Sequence, residues 1–355
     1  MPRWVLIVPL LAVALLGVAL MMPVSVWLAW LCAAALIASV QAAVYHAEVV
    51  AHRTGEPFGT LVLAVAVTVI EVALIVSVML GGGPDKSTLP RDTIFSAVMI
   101  ICNGVVGLCL VVGGLRHHEQ SFRIEGATAS LAALVAMATL TLVLPAFTIS
   151  SPGATYTPLQ LAFASLASLA LWAVSVFVQT VRHRDYFLPV GQASNEAAHA
   201  APPSWARASA SFALLLVSLV AVVGLAKVLS PSIETALAVS GAPKAVIGVV
   251  IALLVLLPET VAAVRAAHVD RLQTSFNLAY GSALASIGLT IPVVAIGSLW
   301  MGWPLVLGLQ PKDLVMLVLT FVVSAITLAH GRTHMMQGAV HLVIFAAFMF
   351  LAFVP

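Results

Sequence analysis

Long apolar runs, separated by short polar breaks, follow one another along almost the whole chain. A membrane-spanning helix takes roughly 20 mostly apolar residues. Eleven runs reach about that length, near residues 4–21, 24–45, 58–80, 93–115, 125–147, 159–181, 207–229, 244–266, 272–299, 313–329 and 336–354. None alternates apolar and polar positions with period two, so a transmembrane β-barrel is excluded. The pattern predicts an all-α polytopic membrane protein with about eleven transmembrane helices. The first run follows Met1-Pro-Arg-Trp and continues to Met21, longer than the apolar core of a signal peptide. It is expected to be a retained span.

Composition agrees. Of 355 residues, 62% are hydrophobic and 8% charged, where a soluble domain carries about a quarter. The net charge of +2 matters less than its placement. With the N-terminus inside, Arg3, Arg53, Arg116, Arg123, Arg182, Arg184, Arg207, Arg265, Arg271 and Arg332 fall on the inner side. Lys86, Arg91, Lys227, Lys244 and Lys312 fall outside. Positive residues concentrate on the cytoplasmic face, so the N-terminus is expected in the cytoplasm and the C-terminus in the periplasm. Cys32, Cys102 and Cys109 lie within apolar runs and read as small core residues.

The longest polar stretch runs from Arg182 to Arg207 and includes Pro189, Gly191, Pro202 and Pro203. It divides the chain into an additional N-terminal helix over 1–22, a five-helix repeat over 23–181 with Glu71, a cytoplasmic linker over 182–206, and a second five-helix repeat over 207–355 with Glu259. Five is odd, so the second half would enter the membrane inverted, a common transporter design. With Glu71 set against Glu259, the next runs match Thr93 with Thr274, Phe95 with Phe276, Gly107 with Gly288 and Leu108 with Leu289, and Ser96 falls opposite Asn277.

Most acids fall between the runs, among them Asp92 and Asp313. Glu71 and Glu259 lie well inside theirs, where a charge costs at least about 2.5 kcal/mol and a functional role is the default reading. Thr68 shares a helix face with Glu71. Pro258 precedes Glu259 and frees a carbonyl one turn earlier, either as a packing kink or as a cation ligand. Ser275, Ser282 and Ser286 lie near one face of the ninth run with Asn277 beside it, and Ser96, Asn103 and Gly107 near one stripe of the fourth. Serines there often bond only their own backbone, whereas a buried amide needs several partners. Glu71, Glu259, Thr68, Asn103, Asn277, Ser282 and Ser286 form an all-oxygen candidate set suited to a hard cation. Two close carboxylates would also let protons compete with that cation. Histidines 46, 52, 117, 118, 183, 268, 330 and 334 read as solvated interfacial side chains. Neither HExxH nor a P-loop occurs.

The stretch Gly55-Glu56-Pro57-Phe58-Gly59-Thr60 with Ala66-Val67-Thr68-Val69-Ile70-Glu71-Val72-Ala73-Leu74 resembles the first α-repeat of ChaA-type bacterial calcium/sodium–proton antiporters, in the cation/calcium antiporter superfamily. The segments Val250–Thr260, Gly281-Ser282-Ala283 and Ala285–Pro292 resemble the second repeat, and Thr180–Pro189 the start of the linker. The resemblance implies ten core helices in two inverted repeats plus a first helix, a site at the bilayer midplane with Glu71 and Glu259 as central acids, and residence in a bacterial inner membrane. Vacuolar exchangers of the superfamily have Gly-Asn shortly before each acid. Thr68-Val69-Ile70 and Leu256-Leu257-Pro258 stand there instead, a smaller ligand set that opens the way to Na⁺ or K⁺. The expected activity is secondary exchange of Ca²⁺, Na⁺ or K⁺ for H⁺ by alternating access, not enzymatic catalysis. No cofactor and no nucleic acid is expected. The partners are inorganic cations, protons and the lipid bilayer, with homo-oligomerisation left open. The rivals are a cation uniporter or channel without proton coupling and an intramembrane hydrolase, for which no nucleophile–base pair or metal motif is found.

Overall fold

The computed structural model describes residues 2–54, 58–82, 86–189, 203–241, 243 and 245–354. Helices account for nearly all of them. In lipid, a backbone N–H or C=O has no water to bond, so the apolar runs close their hydrogen bonds within helices. Among the described residues, ten helical rods are long and apolar enough to cross a membrane. One further helix, Phe58–Gly82, includes the apolar stretch Val65–Met79. The protein is a multi-pass membrane protein.

Two compact units are formed. The first takes residues 1–86 and 199–244. It contains α1 (Arg3–Met21), α2 (Val26–Thr54), α3 (Phe58–Gly82) and, by the numbering of the full chain, α8 (Trp205–Ser240). Helices α2 and α8 run along one another, and α1 and α3 each pack on both. Two of these helices outrun their predicted limits. The run over 24–45 extends to Thr54, because buried His46 donates from Nε2 to the Val5 carbonyl (2.8 Å) and Arg53 stacks on Trp205 at 4.4 Å. The run over 207–229 continues through Pro231 to Gly241, which ends the helix at φ 66°. The Thr235 hydroxyl takes up the Pro231 carbonyl at 2.9 Å.

The second unit takes residues 87–198 and 245–355. Its first rod is α4 (Leu89–Met99), a π-helical segment (Ile100–Val105) and α5 (Val106–His117). Next come α6 (Ile124–Ala138), continued by a π segment (Thr139–Val143), and α7 (Pro158–Phe177), continued by another (Val178–Arg182). After the first unit's α8 come α9 (Ala245–His268), α10 (Leu272–Met301), α11 (Pro311–Leu328) and α12 (Met335–Phe353). Polar caps set the ends. Thr157 and Gln160 form a capping box before α7, and His334 and Gln337 form another before α12. Helix α12 packs on α5, α10 on α7, and α9 on α4 and α5. Gly338 makes the first contact possible, because a side chain there would collide with the Val111 amide and the Gly107 carbonyl.

Two small β pairings pin loops of this unit. Strand β1 (Glu119–Ser121), after α5, pairs antiparallel with β2 (Arg332–His334), before α12. A bridge between Thr155 and Val306 joins the loop before α7 to the loop before α11. Of the expected linker over 182–206, residues 190–202 lie outside the described residues, as do Gly55, Glu56 and Pro57. The described part begins with a turn at Arg184–Phe187.

Candidate functional site

Helix α3 carries Glu71. Its apolar positions sort by exposure: Val65 and Val69 face outward, whereas Ile70, Leu74 and Ile75 are buried. Glu71 (4% exposed) and Thr68 (5%) belong to the buried set, as expected for residues three apart. An acid so enclosed must be protonated, paired or bound to a cation.

Glu259 lies in α9 and is half-buried. Pro258 has no N–H to give the carbonyl of Leu254. The α9–α10 register is fixed where the Ser275 hydroxyl donates to the Ala263 carbonyl at 2.7 Å. Four residues further along each antiparallel helix, Glu259 comes level with Ala279. Ser282 (half-buried) and Ser286 (5% exposed) follow one and two turns deeper.

The two candidate amides serve separate networks. Asn277, in the second turn of α10, donates to the Phe187 carbonyl (2.6 Å) and accepts from Gln273 (2.9 Å). Gln273 in turn accepts from the Arg123 amide at 2.8 Å. Asn277 therefore ties the start of α10 to the turn after α7. Asn103 is fully buried in the π segment. Its Nδ2 donates to Thr320 Oγ1 (2.9 Å), and its Oδ1 lies 3.1 Å from His341 Nδ1. Of the candidate set, Asn103, Asn277, Ser282, Ser286 and Glu259 share the second unit, while Thr68 and Glu71 share α3 in the first.

Several residues differ from their sequence reading. His46 is enclosed rather than solvated at an interface. Arg91 and Asp92, read as an outer loop, are buried in the first turn of α4. Their ion pair measures 2.7 Å, Thr88 donates to Asp92 at 3.0 Å, and Arg91 donates to the Gly308 carbonyl at 3.2 Å. The signal was local: an Asp four residues after a Thr, beside a proline, marks a helix start. His341 escaped notice altogether, since one histidine in an apolar run has no sequence partner. No group of three or more His, Cys, Asp or Glu poised to hold a metal ion occurs among the described residues.

Comparison with known proteins adds to this geometry. The sodium/calcium exchanger protein family matches residues 24–181 and 210–354. The candidate ionic transporter y4hA of Sinorhizobium fredii is 49% identical, covering 100% of this chain and 97% of its own. The sodium-potassium/proton antiporter ChaA of Escherichia coli is 35% identical, covering 98% and 95%. The solved structure of the Ca²⁺/H⁺ antiporter protein YfkE shares the fold, with a TM-score of 0.74 at 18% identity over 99% of each chain.

Proposed function

The chain belongs to the sodium/calcium exchanger protein family, within the cation/calcium antiporter superfamily, and from that premise we propose that it is a secondary antiporter exchanging a cation for protons. The observation that carries this reading is the full-length similarity to a sodium-potassium/proton antiporter. Buried Glu71, in a helix with no other charged residue, supplies the chemistry. A carboxylate enclosed this way holds either a proton or a cation, and competition between them is exchange without further machinery.

In this reading Glu71 and Glu259 are the shared proton and cation groups. Thr68, Ser282, Ser286 and the carbonyl freed by Pro258 supply neutral oxygens. Asn103 and Asn277 hold helices instead, because their amides are engaged elsewhere. Fewer neutral ligands favour Na⁺ and K⁺ as cargo over Ca²⁺, in line with the activity named for the Escherichia coli relative.

An inverted-repeat origin is supported within the second unit. Helix α12 packs on α5 much as α10 packs on α7. The loop after α5 pairs with the loop before α12, and the loop after α10 with the loop before α7. These are the same relations with the halves exchanged. Alternation of two such halves exposes the acids first to one side of a bacterial inner membrane and then to the other. The arginine distribution supports a cytoplasmic N-terminus.

The test uses everted vesicles with an established pH gradient and a pH-sensitive dye. Adding Na⁺, K⁺ and Ca²⁺ in turn should collapse the gradient for at least one cation. Glu71→Gln and Glu259→Gln should each abolish the response. No response to any cation from the folded parent protein would sink the reading in favour of an uncoupled pathway.

A further inference from the structure

Helix α11 carries a stripe of hydroxyls at Thr320, Ser324 and Thr327, spaced four and three apart and each at most 3% exposed. The stripe meets the π segment and α12 in a buried, polar seam. Thr320 Oγ1 donates to the Met316 carbonyl (2.8 Å) and accepts from Asn103 Nδ2 (2.9 Å). That orientation turns the amide oxygen of Asn103 toward His341 Nδ1 at 3.1 Å. An amide oxygen only accepts, so Nδ1 carries the proton. In the neutral ring Nε2 is then an acceptor, and the Thr327 hydroxyl donates to it at 3.0 Å. Donors and acceptors match along the chain Asn103–His341–Thr327, with His341 itself 0% exposed.

The position of this chain gives it a task. Asn103 sits within the π turn that joins α4 to α5, and Gly107 lets α12 approach the same rod so closely that His341 Cβ borders it. On another side of the rod, Gly248 of α9 abuts the backbone of Asp92 and Thr93. Helix α9 also carries Glu259.

We infer that His341 is a positioning residue for transport: with Thr320 it brackets the Asn103 amide, fixes the π turn, and so holds the rod against which the Glu259 helix is set. This inference rests on the antiporter reading. It gives His341 and Asn103 one shared role and takes Asn103 out of the cation ligands.

The test compares Asn103→Ala, His341→Ala, the double variant, and the milder Thr320→Val in the vesicle assay, at matched amounts of folded protein. Each single alanine variant should lower the maximal exchange rate roughly tenfold or more. The half-saturating cation concentration and the ranking of cations should stay unchanged. The double variant should be no slower than the worse single one, because the bracket is already broken. His341→Asn, which keeps a donor near Nδ1, should recover rate, and His341→Gln, which reaches only toward Thr327, should recover less. If the alanine variants fail to fold, Thr320→Val should still show the rate loss without a change in half-saturation.

A changed cation ranking in Asn103→Ala but not in His341→Ala would make Asn103 a ligand and overturn the inference. Multiplying losses in the double variant would overturn it equally. A parent protein with no exchange would instead sink the antiporter reading. Thermal unfolding of the purified variants would then judge the bracket, with non-additive shifts supporting it and additive shifts refuting it.

Discussion

The helices carrying the two acids solve the same problem differently. Helix α3 encloses Glu71 to 4% exposure without a proline near it, and its neighbour in the candidate set, Thr68, is equally enclosed. Helix α9 leaves Glu259 half-buried, interrupts its own hydrogen bonds at Pro258, and is tied from outside by Ser275 and by close contact at Gly248. Glu71 is thus placed by the buried face of its own helix, which it shares with Thr68, and Glu259 by a backbone that neighbouring helices hold in register. The contrast teaches that matched sequence positions need not share a supporting structure.

Substitution of the acids is the harshest way to probe this contrast. Glu71→Gln and Glu259→Gln should both reduce cation-driven pH collapse to background, and survival of exchange in either would break the pairing of the two acids. Next in size is the ion pair at the start of α4. Arg91→Met leaves Asp92 charged and buried and should lower stability by about 3–5 kcal/mol, read as a fall in unfolding temperature of the purified protein. Since the pair belongs to the unit that holds α9, exchange should suffer with it. Gly248→Ala should cost about 1–3 kcal/mol by overpacking α9 against the Asp92 backbone. Gly17→Ala, inside α1 of the first unit and with open space around it, should raise stability by about 0.8–1 kcal/mol, the helix-propensity gain of alanine over glycine. The smallest effect is expected from Ser275→Ala, which removes one interhelical bond worth about 0.6 kcal/mol. It should lower the exchange rate slightly, whereas Thr68→Ala should weaken cation affinity, seen as a higher half-saturating concentration.

Much of the fold was legible because lipid imposes one rule on every span. Runs of apolar residues of bilayer length had to be helices, and the predicted limits of α10 and α12 fall within two residues of those observed. Legibility failed where a polar residue sits on a helix. Ser230-Pro231 looked like an end, yet α8 continues to Ser240, since a proline inside a membrane helix is tolerated when neighbours repair the backbone. Arg91 and Asp92 looked like loop residues because charge was taken to mean solvent, and their mutual pairing is a tertiary fact. Of the candidate site, Glu71 and Thr68 emerge buried on one face as their spacing implied. Asn103 and Asn277 were chosen because a buried amide needs several partners. The partners turned out to be Thr320, His341, Phe187 and Gln273, distant in the chain or mute by type.

The π turn at Ile100–Val105 works as a phase shifter. A π-bulge accommodates a surplus residue inside a helix, and each residue advances an α-helix by about 100°. Residues of α4 and α5 therefore lie on one rod but follow two angular registers, so Ser96 and Gly107 cannot be set on a common stripe by counting in sevens and fours. Deleting a single residue between them would merge the two registers and turn every side chain of α5 away from its present neighbour.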